Sequence, residues 1–297
     1  MTAPILADAL GPRARRRTAV ASLVATFVLV YIGYVVVQRL SDKGQLDRRL
    51  WEPFTQWAVI RFLLEGLVNT LRAAAVAMIL SIAVGTVMAL ARLSRTRAVR
   101  WAATIYVEFF RGVPLLLLIF FTYLSLPKYG INLSAFWFLV MALVAYNGAL
   151  LGEIFRAGIL SLDRGQSEAG ATLGMTYWQS MLLVVVPQAA RRMIPAIVSQ
   201  LVTLLKDTSL AFLIAYEELL RLAQRTGTFY NNQLQAYIVV ALMFFVVNFS
   251  LSRVARRLEV RQRRRYGAGT IAVTGAEDLA VMGAQGEAGV AHGRRRP

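Results

Sequence analysis

Residues 161–192 read SLDRGQSEAGATLGMTYWQSMLLVVVPQAARR, a long connection between two stretches of nearly uninterrupted apolar residues. A handful of residues would suffice to join those stretches, and long loops in compact proteins are usually functional. Gln166 to Leu173 holds helix formers and ends at Gly174, a C-terminal helix stop. Met175 to Val186 is a second apolar segment that Pro187 is expected to terminate. It is too short to cross a bilayer and suits a helix lying along the membrane or docked on a partner. The plainer reading of the same residues is a solvated re-entry segment.

The flanks of this connection decide the fold class. The 297-residue chain is 57% hydrophobic with a mean hydropathy of +0.55, too apolar for an ordinary soluble domain. Its apolar residues come in blocks close to the ~20 residues that a helical crossing needs. Only helices or closed barrels satisfy the backbone inside lipid, and unbroken blocks exclude a barrel's alternation. The sequence therefore predicts an all-α membrane protein with about six crossings. They are Ala19–Gln38, Leu64–Arg92, Pro114–Leu126, Ala135–Leu160, Pro195–Tyr216 and Leu234–Val254. The third is short, so its helix is expected to begin near Ala103 and to tolerate Pro114 internally.

Basic residues flank these blocks. Arg13, Arg15, Arg16 and Arg17 precede the first, and Arg92, Arg95, Arg97 and Arg100 follow the second. Arg164, Arg191 and Arg192 lie in the long connection, and Arg253, Arg256, Arg257, Arg261, Arg263, Arg264 and Arg265 follow the last. A cytoplasmic N-terminus puts all four groups inside, as the positive-inside rule asks. Arg39, Arg48 and Arg49 dissent, in an outer loop that also holds acidic residues. The expected organisation is a cytoplasmic N-terminus (1–18), an extra first helix (19–38) and an external loop (39–63). A five-helix core (64–260) containing the 161–192 connection follows, then a basic, disordered cytoplasmic tail (261–297). The first block is longer than a signal-peptide core and lacks a small-x-small exit, so it reads as an uncleaved anchor. Trp51, Phe54 and Trp57 recur at helical spacing, which predicts an interfacial helix in the external loop.

Several function classes fall away. A net charge of +17 would suggest nucleic acid on a soluble protein, but here the charge sets topology and no recognition element remains outside lipid. There is no cysteine, so disulfides and thiolate metal sites are excluded, and His292 alone in its Gly/Ala-rich surroundings makes no metal site. No GxxxxGK[ST] loop occurs, so the chain supplies no nucleotide site of that kind. An intramembrane enzyme is disfavoured by the lack of membrane-depth His or paired catalytic carboxylates. An ion-coupled secondary transporter using Asp207 as carrier is the main alternative, but the paired halves common in that class are not visible. A non-transporting scaffold is the remaining alternative.

Resemblance sharpens this reading. Glu168-Ala169-Gly170, then Gly174, then Pro187 resembles the cytoplasmic EAA loop of ABC-importer permeases. That family writes Glu-Ala-Ala, three residues, Gly, nine residues, Ile, one residue, Leu-Pro. This chain departs at Gly170, and at Val184 and Val186, where apolar character is kept. The stretches GLVNTLRAAAVAM (Gly66–Met78), VEFFRGVPLLLLIFF (Val107–Phe121), EIFRAGILSL (Glu153–Leu162) and LLKDTSLA (Leu204–Ala211) are similar to the polar-amino-acid branch of these permeases. The extra first helix, with SDKGQL and LWEPF, most resembles the larger glutamate permease subunit of actinobacteria. The resemblance implies a type I importer permease fold and inward transport of a polar L-amino acid by alternating access. Glu168, Ala169, Gly170, Gly174 and Pro187 would couple the chain to ATP hydrolysis. It also implies two ATPase subunits carrying ATP-Mg, a second permease (a paralogue preferred over another copy) and an external solute-binding protein. No cofactor is expected in the chain itself.

Ionisable residues inside spans are costly and default to functional hypotheses. Ser199, Gln200, Thr203, Lys206 and Asp207 fall within a sector of roughly 120° on the fifth span. Lys206 suits a substrate carboxylate, and Asp207 or the hydroxyls an ammonium; the competing reading pairs the two charges as structural glue. Asn147 either binds substrate or bonds a neighbouring helix. Glu153, also a substrate candidate, is one turn from Arg156 and suits an intrahelical pair. Arg111, with Glu108, has a gate, packing or substrate role. Gly148 and Gly152 form a small-xxx-small pair for close helix packing.

Overall fold

The computed structural model describes residues 11–254, 256 and 257. The basic residues from Arg261 to Arg265, the tail from Gly267 and His292 lie outside the described residues. Every regular element among the described residues is helical. Among the described residues five helices are long and apolar enough to cross a membrane, and six crossings result if one bent pair counts as a single span.

Backbone contacts divide the chain into two units, Met1–Ile60 with Gln224–Val239, and Arg61–Ala223 with Val240–Pro297. In the first, α1 (Pro12–Asp42) opens with proline at its first turn, where no amide is missed. Its apolar residues, such as Leu23, Phe27 and Tyr31, stand exposed, as suits a helix whose solvent is lipid. The predicted interfacial helix is replaced by two short pieces, α2 (Arg48–Trp51) and a 3₁₀ turn (Glu52–Thr55). Pro53 sits in that turn, Gln56 is extended (ψ 129°), and Trp57 already belongs to α3 (Trp57–Arg92). The three aromatic residues therefore do not share one helix. Buried Asn232 and Gln235 hold this loop: Asn232 Nδ2 donates to the Leu50 carbonyl (2.8 Å) and Gln235 Nε2 to that of Gln45 (2.6 Å).

The second unit carries the core. After α3 come α4 (Arg97–Gly112) and α5 (Leu115–Ser125), which meet at a 99° bend. Pro114 is thus not accommodated inside a helix. It drives Val113 to extended geometry (ψ 129°), as a proline does to its predecessor, and has no amide to continue the ladder. Helix α6 (Ala135–Leu160) matches the predicted fourth span. It forms the centre, with Leu139, Leu143 and Leu151 fully buried alongside Ile119 of α5.

Small residues bring α3 and α6 together. A Cβ on Gly85 would meet Leu151 Cβ at 2.8 Å and the Gly152 amide at 3.0 Å, and one on Gly148 would meet Val84 Cγ1 at 2.8 Å. The Gly148/Gly152 pair thus packs a helix, as its spacing predicts. In lipid such close approach supplies the dispersion contacts that hold helices together.

The 161–192 connection folds as α7 (Arg164–Thr172), α8 (Tyr177–Ser180) and a π turn (Met181–Val185) leading into α9 (Val186–Asp207). Pro187 does not stop the helix. The Val186 amide bonds the Met181 carbonyl in the wide i→i+5 register, so the missing Pro187 amide falls where the ladder changes register. The fifth crossing therefore begins well before Pro195, which lies inside α9. After α9, a 3₁₀ turn (Thr208–Ile214) ends at Ala215 with φ +57°. An unpredicted amphipathic helix, α10 (Leu219–Tyr230), precedes α11 (Gln233–Val254).

Candidate functional site

The residues of the EAA-like segment form a small packed unit. Gly174 takes φ +77°, which lets the Gly174 amide reach the Ala171 carbonyl (3.0 Å) and the Met175 amide the Gly170 carbonyl (3.1 Å). This pair of bonds closes a helix end, and glycine is the residue that adopts the left-handed turn without strain. Thr176 and Gln179 then form a reciprocal capping box that starts α8. Gly170 is buried against α8, and a Cβ there would meet Ser180 Oγ at 2.7 Å. The departure from alanine at this position is thus matched by a close approach of α8. Ala169 lies in the middle of α7, and Glu168 is exposed on the same helix. Pro187 occupies the first turn of α9.

This unit is tied to the bundle. The Tyr177 hydroxyl donates to the Leu93 carbonyl (3.2 Å), just past the end of α3. The Arg95 guanidinium lies 4.7 Å from the Tyr177 ring centroid, within cation–π range.

Beside that corner sits an ion network that the sequence revealed only as one helical pair. Glu153 accepts from Arg156 at 2.5 Å, as expected for neighbours one turn apart, and also from Arg92. Arg92 reaches Glu108 at 3.6 Å, and Arg111 lies 3.8 Å from Glu153 and 4.0 Å from Glu108. Three guanidiniums thus face two carboxylates, joining α3, α4 and α6. Arg92, only 11% exposed at its side chain, is the member sequence reasoning missed. Its position beside a span boundary gave it the appearance of a topology charge.

The polar residues of α9 divide. Gln200 turns inward, and its Nε2 donates to Asn147 Oδ1 at 2.7 Å, while Asn147 Nδ2 donates to the Leu143 carbonyl (3.0 Å). Ser199, Thr203 and Lys206 stand on the exposed face opposite buried Leu204 and Leu205, and Asp207 is half-buried. Lys206 makes no ion pair among the described residues. It lies in the last turn of α9, next to Asp207, on an outer face open to a ligand's carboxylate.

The start of α10 is docked on α3 by residues of the GLVNT stretch. Thr70 Oγ1 accepts the Leu219 amide (3.1 Å), Asn69 Nδ2 donates to the Glu217 carbonyl (2.9 Å), and Gly66 admits the backbone of Leu219. Fully buried Glu218 caps α10 by accepting the Leu220 and Arg221 amides at 2.8 and 2.6 Å. Burial pushes its carboxyl up to about 7, against the pull of those two amides. A capping acid ahead of an apolar run was the available signal for this helix.

An all-helical bundle of membrane-length segments, with a packed helical connection tied to its ion network, marks an integral membrane protein. Residues 81–264 match the model of the family described as "Binding-protein-dependent transport system inner membrane component", and the chain belongs to that family. It is similar to the glutamate transport system permease protein GluD of Corynebacterium glutamicum, 41% identical over 76% of this chain and 84% of that protein. It is also similar to the probable glutamine ABC transporter permease GlnP of Bacillus subtilis, 42% identical over 68% of this chain and 94% of that protein. Among solved structures, an amino acid ABC transporter with histidines is 31% identical with a TM-score of 0.64, over 68% of this chain and 94% of the other. The chain is thus a multi-pass inner-membrane permease subunit of an amino-acid ABC transporter, and not itself an enzyme.

Proposed function

We propose that this subunit imports an acidic L-amino acid, glutamate or a close relative, by alternating access. Two ATPase subunits, carrying ATP and Mg, grip the segment from Glu168 to Pro187 on the cytoplasmic side. A paralogous permease completes the pathway, and an external solute-binding protein delivers the substrate. Both termini are cytoplasmic, and α1 is an addition to a five-helix core. The observation that carries the coupling role is the EAA-like α7–α8 unit, closed by Gly174 and bound to the end of α3 through Tyr177.

The substrate class draws on two supports. The relatives include a glutamate permease, though also a glutamine one. Lys206, which makes no ion pair among the described residues, supplies a cation on the exposed face at the end of α9, on the same face as Ser199 and Thr203, where it complements a side-chain carboxylate. Asn147 and Gln200 hold α9 against α6 behind that face. Glu153 and Arg111 belong to the ion network and act by positioning helices.

The test is competition uptake in proteoliposomes holding the permease pair, the ATPases and the binding protein. Labelled glutamate should enter with ATP and be displaced by aspartate, but not by arginine. Displacement by arginine alone would refute the acidic-substrate reading. Lys206→Ala should lower glutamate uptake, whereas unchanged kinetics would remove Lys206 from the pathway. Glu168→Lys should abolish uptake with membrane insertion intact.

A further inference from the structure

Helix ends leave carbonyls without an intrahelical partner. At the end of α3, the Leu93 carbonyl receives the Tyr177 hydroxyl from a residue 84 positions away. The ring of Tyr177 is half-buried against the core, and its outer face is covered by Arg95. The corner that follows α3 is itself ordered: Arg100 donates to the Ser94 carbonyl at 3.1 Å, and the Thr96 amide to Ser94 Oγ at 3.2 Å. One residue before Leu93, Arg92 enters the network that ties α3 to α6 through Glu153 and to α4 through Glu108.

We propose that Tyr177 is the positioning residue that delivers movement of the α7–α8 unit to the membrane helices, by holding the Leu93 carbonyl beside the Arg92 network. This rests on the reading that α7–α8 receives the stroke of a separate ATPase. The local geometry makes the unit stiff. Gly170 packs on Ser180, the capping box fixes the start of α8, and the π turn passes directly into α9. A displacement of α7 therefore carries α8 with it. α8 has two rigid outlets, α9 along the chain and α3 through the Tyr177 hydroxyl. The second outlet reaches α4 and α6 as well, because Arg92 binds carboxylates from both. Close-packed elements with discrete contacts transmit such shifts, whereas a solvated loop would absorb them.

The experiment uses the full complex in proteoliposomes and reads ATP hydrolysis and substrate uptake side by side. Tyr177→Phe keeps the ring beneath Arg95 and removes only the hydroxyl. Uptake per ATP should fall by about five- to tenfold, the factor that one hydrogen bond supports, while hydrolysis stays within about twofold and the ATPases still co-purify. Arg95→Gln, which leaves the hydroxyl in place, should give a smaller loss in the same ratio and serves as the second variant should Tyr177→Phe accumulate poorly. An unchanged ratio in both variants overturns the proposal. So does a fall of uptake and hydrolysis in proportion, since a merely structural role would lower both. Glu168→Lys separates the two levels of inference. Normal uptake in that variant refutes coupling through α7 altogether, whereas lost uptake there with a normal Tyr177→Phe ratio refutes only the relay.

Discussion

Asn147 and Gln200 share a hydrogen bond of 2.7 Å that joins α6 to α9 inside the bundle. Asn147 is fully buried and spends its amide nitrogen on its own helix, at the Leu143 carbonyl. Its oxygen is thereby presented to α9. This contact, with the packing of Met193, Leu204 and Leu205, holds α9 so that Ser199, Thr203 and Lys206 face outward.

Replacing either partner should loosen that orientation. Asn147→Ala and Gln200→Ala are each expected to lower stability by about 1 kcal/mol, the scale of interhelical hydrogen bonds in membranes, and the double variant by little more. Thermal unfolding of the purified subunit in detergent measures the cycle. Strict additivity would mean that the two side chains act independently.

At the α7–α8 contact, Gly170→Ala should be harmful even though alanine is the better helix former. The new Cβ would lie 2.7 Å from Ser180 Oγ and 3.2 Å from Ser180 Cβ. Ser180 Oγ is buried with no hydrogen-bond partner among the described residues, so Ser180→Ala alone should be neutral, and the pair Gly170→Ala with Ser180→Ala should regain most of the lost uptake. A Gly170→Ala protein with normal uptake would show that α7 and α8 move apart freely.

Close packing of α3 on α6 predicts a ranking among glycines. Gly85→Ala should cost about 1–3 kcal/mol, because its neighbours include backbone that cannot give way. Gly152→Ala, whose nearest contact is Met88 Cβ at 3.2 Å, should cost less. Gly33→Ala in α1 meets nothing within 4 Å and should be neutral or slightly stabilising. Melting temperatures of the three variants give the order.

The Glu218 carboxyl sits at about 7 instead of 4.5, so the folded protein holds this proton more tightly than the unfolded chain. Its contribution to stability is full below pH 4.5 and is lost as pH rises through 7. Tertiary stability should decline across that window, and Glu218→Gln should flatten the decline. Melting curves at half-unit steps from pH 5 to pH 8 make the comparison. An identical slope in the variant would assign the pH dependence to other groups.

Part of the candidate site's geometry was legible because its signals are local. The Glu153–Arg156 pair is one helical turn apart, and the Gly174 stop is a matter of one residue's backbone freedom. The EAA-like spacing lies within a single segment. The Arg92 contacts were not legible, since Glu108 and Glu153 are brought to it from separate helices. Pro114 and Pro187 show the same limit in the fold. Both lack an amide, yet one bends the chain by 99° and the other rides within a helix behind a π turn.

Composition and block length alone determined that this chain is a helical membrane protein, because hydrocarbon leaves the backbone no other partner than itself. The pattern around Glu168, Gly174 and Pro187 likewise indicated its family. Tertiary structure decided which polar residues face each other and which face outward. Helical periodicity assigns a residue to a sector of its own helix, but only packing against the other helices determines what that sector meets.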